Sequence, residues 1–260
     1  MDNSFDIAAL DYDQNFTYSN IGVQQRKQVY KCLDKYVLNT KKQSVLEINC
    51  GTGEDAQWFA ERGNRVLATD SSEKMISVTK NKDSIQHVKF KQLKIQELNQ
   101  LDGEGSYDLI FSNFGGLNCL NKNEFSEFFT QSKRLLKTNG NLVLVIMPKN
   151  CIWDNVYLFL KGKWDSIGRR NTSKALSVPV HGKQVDTWYY NPKDISNLKK
   201  DTFKIINHYP IGFFVPPSYL EPFFKNKKVL LKFLDWLDKY VSRFSFLARF
   251  SDHYIIHLKP

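Results

Sequence analysis

Glu47, Asn49, Gly51, Gly53 and Asp70 are the residues whose types and spacing could together hold a ligand that carries a ribose. Glycines at 51 and 53 let the backbone pass close to a ligand with no Cβ in the way. The free amides of a helix opening just after them favour a polar or anionic group. Asp70, at the end of an apolar run, can accept hydrogen bonds from both hydroxyls of a ribose. Glu47 interrupts an otherwise apolar stretch, where a carboxylate is costly unless a partner meets it.

Positioning these groups takes a strand, a turn, a helix and a second strand. Val45, Leu46 and Ile48 read as a short buried strand, Gly51-Thr52-Gly53 as the turn, Glu54 to Gly63 as the helix and Arg65 to Thr69 as the next strand. That is half of a nucleotide-binding fold, and two ligands compete for it. The run from Gly51 to Ala56 satisfies the glycine pattern of a dinucleotide site, so an NAD(P)-dependent oxidoreductase is one reading. Glu54 and Asp55 oppose it, because carboxylates in the first helical turn repel a pyrophosphate. S-adenosylmethionine has no phosphate, and its positive charge would meet Glu47.

The stretches LEINCGTGEDA and VLATDSSEKM resemble the first two motifs of class I S-adenosylmethionine-dependent methyltransferases. Within that family the chain is most similar to the bacterial small-molecule enzymes of the ubiquinone-biosynthesis type, and FDIAALDYDQNFTYSNIGVQQR fits that group too. Asn49 stands where the family motif has glycine, and asparagine tolerates a left-handed backbone better than most residues. The resemblance implies an α/β, Rossmann-like sheet of seven strands. It is mostly parallel, with helices on both faces and an antiparallel seventh strand between the fifth and sixth. It also implies that Tyr12 covers the cofactor and that Arg26 reaches its methionine carboxylate.

Further along, Ser71 or Ser72 caps a helix to Lys80, and Met75 is placed against the adenine ring as an apolar residue just past the ribose acid. The family often has an acid where Lys94 stands here. Lys94 cannot accept a bond from the adenine amine, so Gln96 or the backbone around Ile95 must serve. The strand entered at Ser106-Tyr107 ends in Asn113 and Phe114, a turn that must face the sulfonium because open α/β sheets bind ligands at the carboxyl ends of their strands. This turn lacks the Asn/Asp-Pro-Pro-aromatic sequence of enzymes that methylate adenine or glutamine amines. Gly115 and Gly116 suit a close approach by a ligand.

The chain divides into an N-terminal lid and helix over 1–43, a cofactor-binding core over 44–150, and substrate-side inserts with the last strands over 151–260. A sixth strand runs from Phe203 to His208 and a seventh from Tyr254 to Leu258, with a long helical insertion between them. Trp153, the Arg169-Arg170 pair and Tyr190 are the candidate substrate contacts. For a hydroxyl acceptor a base is needed: His181 is the first candidate and Asp154 the second, with Tyr189 orienting. A carboxylate acceptor needs none, and Arg169 and Arg170 would then hold the anion. No metal-ligand spacing is present, so no metal is expected.

Lys and Arg number 37 against 27 acids, and in residues 151–260 the count is 18 against 9. A basic substrate half points to an anionic partner, whether small molecule, nucleic acid or acidic membrane. Nucleic acid is the less favoured, since no added recognition domain is seen. Residues 227–250 read as one helix with a broad apolar face. It could pack on its own domain, wall a pocket or dimer face, or lie on a membrane. Four scattered cysteines, no visible signal peptide and no long apolar run lead to the expectation of a cytoplasmic protein. The non-catalytic alternative is an RNA- or membrane-surface-binding protein on a methyltransferase fold.

Overall fold

The computed structural model describes residues 6, 9, 11–38, 42–80, 88–180 and 183–260. His181, the first candidate base, lies outside the described residues, as do Phe5 and His87.

Three apolar runs form the centre of the molecule. β1 (Ser44–Ile48), β4 (Tyr107–Ser112) and β5 (Leu136–Ile146) are parallel neighbours, with Leu46 opposite Ile110 and Ile110 opposite Leu142. Strand side chains alternate between faces, and each strand therefore feeds two cores. Leu46, Ile110, Leu142 and Leu144 pack with Phe125 and Phe129 on one face; Val45, Leu109, Val143 and Val145 pack with Val29, Leu33 and Phe59 on the other. Each such side chain, fully removed from water, contributes about 1.5–3 kcal/mol.

β2 (Arg65–Asp70) and β3 (Val88–Gln92) extend the sheet beyond β1. On the far side come two strands from the end of the chain, β8 (Lys204–Ile211) and β9 (His253–Lys259). The order is β3-β2-β1-β4-β5-β9-β8, and β9 is antiparallel to both β5 and β8. This is the Rossmann-like seven-stranded sheet the sequence led us to expect, with its last strand reversed between the fifth and sixth. Strand order turns round between β1 and β4, so their carboxyl ends open a crevice. Because β9 runs backwards, its first residue, His253, reaches that same edge.

α1 (Asn20–Tyr36) starts at Ser19, whose hydroxyl accepts from the Gly22 amide at 3.0 Å. α2 (Glu54–Glu61) and α3 (Glu73–Lys80) connect the first strands. α4 (Lys122–Leu135) begins with a capping box: Asn121 accepts from the Glu124 amide at 3.1 Å and Glu124 accepts from the Asn121 amide at 2.9 Å.

The second half departs from the sequence reading in three places. α5 (Ile152–Leu160) follows β5 directly, and α6 (Pro192–Leu198) precedes β8. The substrate-side inserts include a two-stranded hairpin of β6 (Leu176–Val180) and β7 (Lys183–Thr187). The insertion holds α7 (Glu221–Phe224) and α8 (Lys228–Val241) in place of one helix to Phe250. At its end the Ser242 hydroxyl donates to the Lys239 carbonyl at 2.9 Å, and a separate 3-10 turn, Ser245–Arg249, follows.

Candidate functional site

At the end of β1 the chain turns left-handed three times, at Asn49, Gly51 and Gly53, with φ of 60°, 53° and 81°. Gly53 has a steric reason as well: a Cβ there would lie 3.0 Å from Thr79 and 3.1 Å from Phe90. Asp70, at the end of β2, closes the turn by accepting from the Gly51 amide and the Ser72 amide, both at 2.9 Å. Burial pushes its carboxyl pKa up while those two amides pull it down, with burial prevailing.

Asn49 fills the space that the family glycine leaves open. Its amide donates to the Ser112 hydroxyl at 3.2 Å, and a Cβ on Gly116 would stand 2.2 Å from it. Gly115 and Gly116 both line the cavity, and their missing Cβ atoms also leave room for protein neighbours. Asn49 presses on Gly116, and the Met147 side chain would lie 2.9 Å from a Cβ on Gly115.

Beneath the turn, Arg26 donates to Asp55 at 2.5 Å, Tyr30 donates to the same oxygen at 2.7 Å, and Asn113 donates to the other at 2.9 Å. Burial opposes the Arg26 charge, but Asp55 outweighs it and the guanidinium stays protonated. Glu47 is 1% exposed, and its Oε2 has no hydrogen-bond partner among the described residues. Burial first, and then repulsion from Asp55, hold its pKa well above the ordinary carboxylate range. A carboxyl held neutral in this way ionises more readily when a cation comes beside it. The Arg26 Nε is likewise unpartnered and buried.

The lid is a π-helical turn, Asp13–Thr17, tied to the glycine turn by a 2.5 Å bond from the Thr52 hydroxyl to Asp13. A row of rings runs across the crevice from it. Tyr12 meets Phe16, Phe16 meets Phe114, and Phe114 meets the His253 imidazole, each pair with centroids 5.4 Å apart.

These groups border one cavity of about 1130 Å³. Ligand pockets commonly measure ~300–1,000 Å³, so there is room for a donor and an acceptor together. Tyr12, Asn49, Gly51, Asp70, Ser71 and Met75 line one end with Ile95 and Gln96; Asn113 and Phe114 line the middle. Gln96 donates to Glu124 at 3.0 Å, which orients its amide. Arg26, Glu47 and Gly53 stand just behind the wall.

At the other end the sequence reading needs correction. Arg169, Arg170 and Tyr189 line the cavity, but Trp153 and Tyr190 do not. Trp153 donates to the Phe213 carbonyl at 3.1 Å and packs on Phe224. Tyr190 is core, its hydroxyl donating to the Leu120 carbonyl at 2.6 Å. Asp154 cannot serve as a base. It is buried with two bonds to Arg169, at 2.9 and 3.1 Å, a 3.3 Å contact to Arg170 and a bond from Tyr219 at 3.2 Å. The arginines are correspondingly not a free anion clamp, since Asp252 also lies 3.7 Å from Arg170.

Sequence reasoning missed His253. It lines the cavity, 7% exposed, with Nδ1 3.1 Å from an oxygen of Asp252. That spacing is a close contact without hydrogen-bond alignment, since the same Nδ1 has no aligned partner. Burial alone would raise the Asp252 pKa, but His253, Arg170 and Gln25 together hold it below the ordinary range. An antiparallel last strand must begin at the ligand edge, and Asp252-His253 is where it begins; that was the available signal. Asn118 was missed too. It donates to the Met147 and Trp188 carbonyls at 3.1 and 2.6 Å, joining the end of β5 to the segment after the hairpin.

Residues 45–140 match the family described as a methyltransferase domain. Over that stretch the chain is similar to methyltransferase domains. It is 29% identical over 111 residues to a malonyl-[acyl-carrier protein] O-methyltransferase of Bacillus anthracis, a match covering 42% of this chain and 39% of that one. The chain spans about two fifths of the length of the curated relatives heading the comparison. Among solved structures, a SAM-dependent methyltransferase from Methanosarcina mazei is 16% identical with a TM-score of 0.59, covering 88% of this chain and 97% of that one. Magnesium protoporphyrin IX methyltransferase from Synechocystis, solved with SAH bound, is 17% identical with a TM-score of 0.58, covering 94% and 87%. Likeness at these identities is likeness of fold, and it extends the methyltransferase domain's fold over nearly the whole chain.

Proposed function

We propose that this methyltransferase domain moves a methyl group from S-adenosylmethionine to an oxygen, hydroxyl or carboxylate, of a small-molecule acceptor. The observation that carries the reading is the glycine turn with its acids: Asp70 lines the cavity and holds the Gly51 amide, and Glu47, buried just behind, has an unpartnered Oε2. A site built this way welcomes a cationic nucleoside and opposes a pyrophosphate.

The donor supplies an already activated methyl on a sulfonium, so the chain has chiefly to bind and align. In this reading Asp70 takes the ribose hydroxyls, Glu47 meets the positive amino group, and the free Nε edge of Arg26 faces the carboxylate. Met75 and Ile95 flank the adenine, Gln96 reads its edge, and Tyr12 closes over the donor. Across the cavity, His253 accepts a hydroxyl proton, with Asp252 balancing the charge it gains. Arg169, Arg170 and Tyr189 shape the acceptor end. The name of the Bacillus anthracis relative specifies O-methylation, which favours oxygen as the acceptor atom. A cytoplasmic setting belongs to the same reading, because all four cysteines are free thiols.

Incubation of the protein with a methyl-labelled donor and small-molecule extract tests this. Label should enter an organic product with the natural chain and not with Asp70→Ala. Failure of the natural chain to label any small molecule overturns the reading.

A further inference from the structure

α8 is built with its acids inside and its aromatics outside. Asp235 and Asp238 are buried. Asp238 accepts from the Phe214 and Val215 amides at 2.8 and 3.0 Å, and both acids accept from the Gln28 amide at 3.0 Å. The opposite stripe is Val229, Phe233, Trp236 and Tyr240, which are 46–84% exposed. Rotating the helix to bury those rings would break every one of the aspartate bonds, so the outward stripe is fixed by the fold. It is also continuous: Phe233 stacks on Trp236 at 5.8 Å and Trp236 meets Tyr240 edge-on at 4.8 Å.

Cations flank this row. Lys228, Lys232 and Lys239 recur along one side of α8, and the Lys227 ammonium sits 3.0 Å above the ring of Phe223, itself 61% exposed. Residues 219–250 hold seven Lys and Arg against three acids. None of the three acids offsets the row, since Asp235 and Asp238 are buried and Glu221 accepts from the Asn20 and Ile21 amides at 3.0 and 2.9 Å. A second copy seated on this face by a two-fold axis would bring like-charged rows together. An anionic phospholipid surface answers both features, since its acyl boundary takes the rings and its headgroups take the ammonium groups.

We propose that α8 docks the protein on anionic membrane surface, lying in the headgroup layer with Phe233, Trp236 and Tyr240 inserted. No helix among the described residues is long and apolar enough to cross a membrane, so the contact is peripheral. Ser218 and Tyr219, just before α7, line the cavity, so the docking segment follows the cavity wall in sequence. The proposal stands on α8 alone and does not depend on methyl transfer.

Full-length protein is spun with vesicles of phosphatidylglycerol mixed into phosphatidylcholine, and with phosphatidylcholine alone. It should pellet with the first and not the second. Binding should weaken at least about tenfold in Lys228→Glu, Lys232→Glu, Lys239→Glu combined, and similarly in Phe233→Ser with Trp236→Ser. Lipid with brominated chains should quench the natural protein more than Trp236→Phe, which keeps an apolar ring and should still pellet. Absence of pelleting on anionic vesicles, equal pelleting on both, or pelleting indifferent to all three variants overturns the proposal. So does a concentration-dependent dimer that the serine variant dissolves, or binding to an acidic protein in place of vesicles.

Discussion

The two ends of the cavity treat their charges oppositely. At the donor end, Glu47 and one edge of Arg26 are buried with valences unmet. At the acceptor end, Asp154 accepts two bonds from Arg169, and Asp154 and Asp252 lie 3.3 and 3.7 Å from Arg170, so opposite charges face one another even though Arg170 Nε and Nη1 make no aligned hydrogen bond. The first arrangement is incomplete without a charged ligand. The second is neutralised from within, so it shapes a wall and leaves little net charge for an acceptor. A basic half of a sequence therefore need not make a basic site.

Several substitutions should break or sharpen this contrast. The largest effect belongs to His253→Ala, which should lower turnover of a hydroxyl acceptor ~10²–10⁴-fold with donor affinity unchanged. A carboxylate acceptor needs no base and should show no such drop, so steady-state kinetics on the labelled acceptor also reveals its class. Next is Asp154→Ala. Removing one partner of a buried ion pair costs about 3–5 kcal/mol, and denaturant titration should show that loss while binding of a donor analogue survives in the folded fraction.

Gly116→Ala should cost about 1–3 kcal/mol, because the new Cβ collides with Asn49. Gly116→Ala combined with Asn49→Gly should recover most of that in the same titration. If the double variant is no better than the single, the pairing of those residues is not the reason for the glycine.

Glu47→Gln should have the smallest effect on stability and the most informative sign. An acid whose pKa is raised by burial stabilises the fold only while protonated, and that contribution is lost as pH climbs past the ordinary carboxylate range. Without ligand, the variant should thus melt above the natural chain at neutral pH, by ~2–4 °C per kcal/mol gained. Binding should run the other way. Donor-analogue affinity of the natural chain should rise with pH as Glu47 ionises, and the glutamine variant should bind weakly at every pH.

The donor end was legible because its groups sit where strand ends must put them. A glycine turn after a buried strand, and an acid at the end of the next, leave little freedom, and Glu47 on an apolar strand is buried with an unpartnered oxygen. The sheet followed from apolar alternation together with a family likeness. The acceptor end was not legible because its partners are far apart in sequence: Asp154, Arg170, Tyr219 and Asp252 meet only once α5, the turn before α7 and β9 are assembled. Tyr190 looked like a site residue and became core because its hydroxyl finds the Leu120 carbonyl. α8 defeated the usual rule that the apolar stripe faces in, since its aspartates are held by loop amides and Gln28.

Isothermal titration of S-adenosylhomocysteine against NADH, into the natural chain and Asp70→Ala, probes the central claim most directly. The account predicts saturable binding of the first nucleoside and none of the second, with affinity falling ~10–100-fold in the variant, as expected for loss of hydrogen bonds to a charged group. Binding of NADH with no heat from S-adenosylhomocysteine would contradict it.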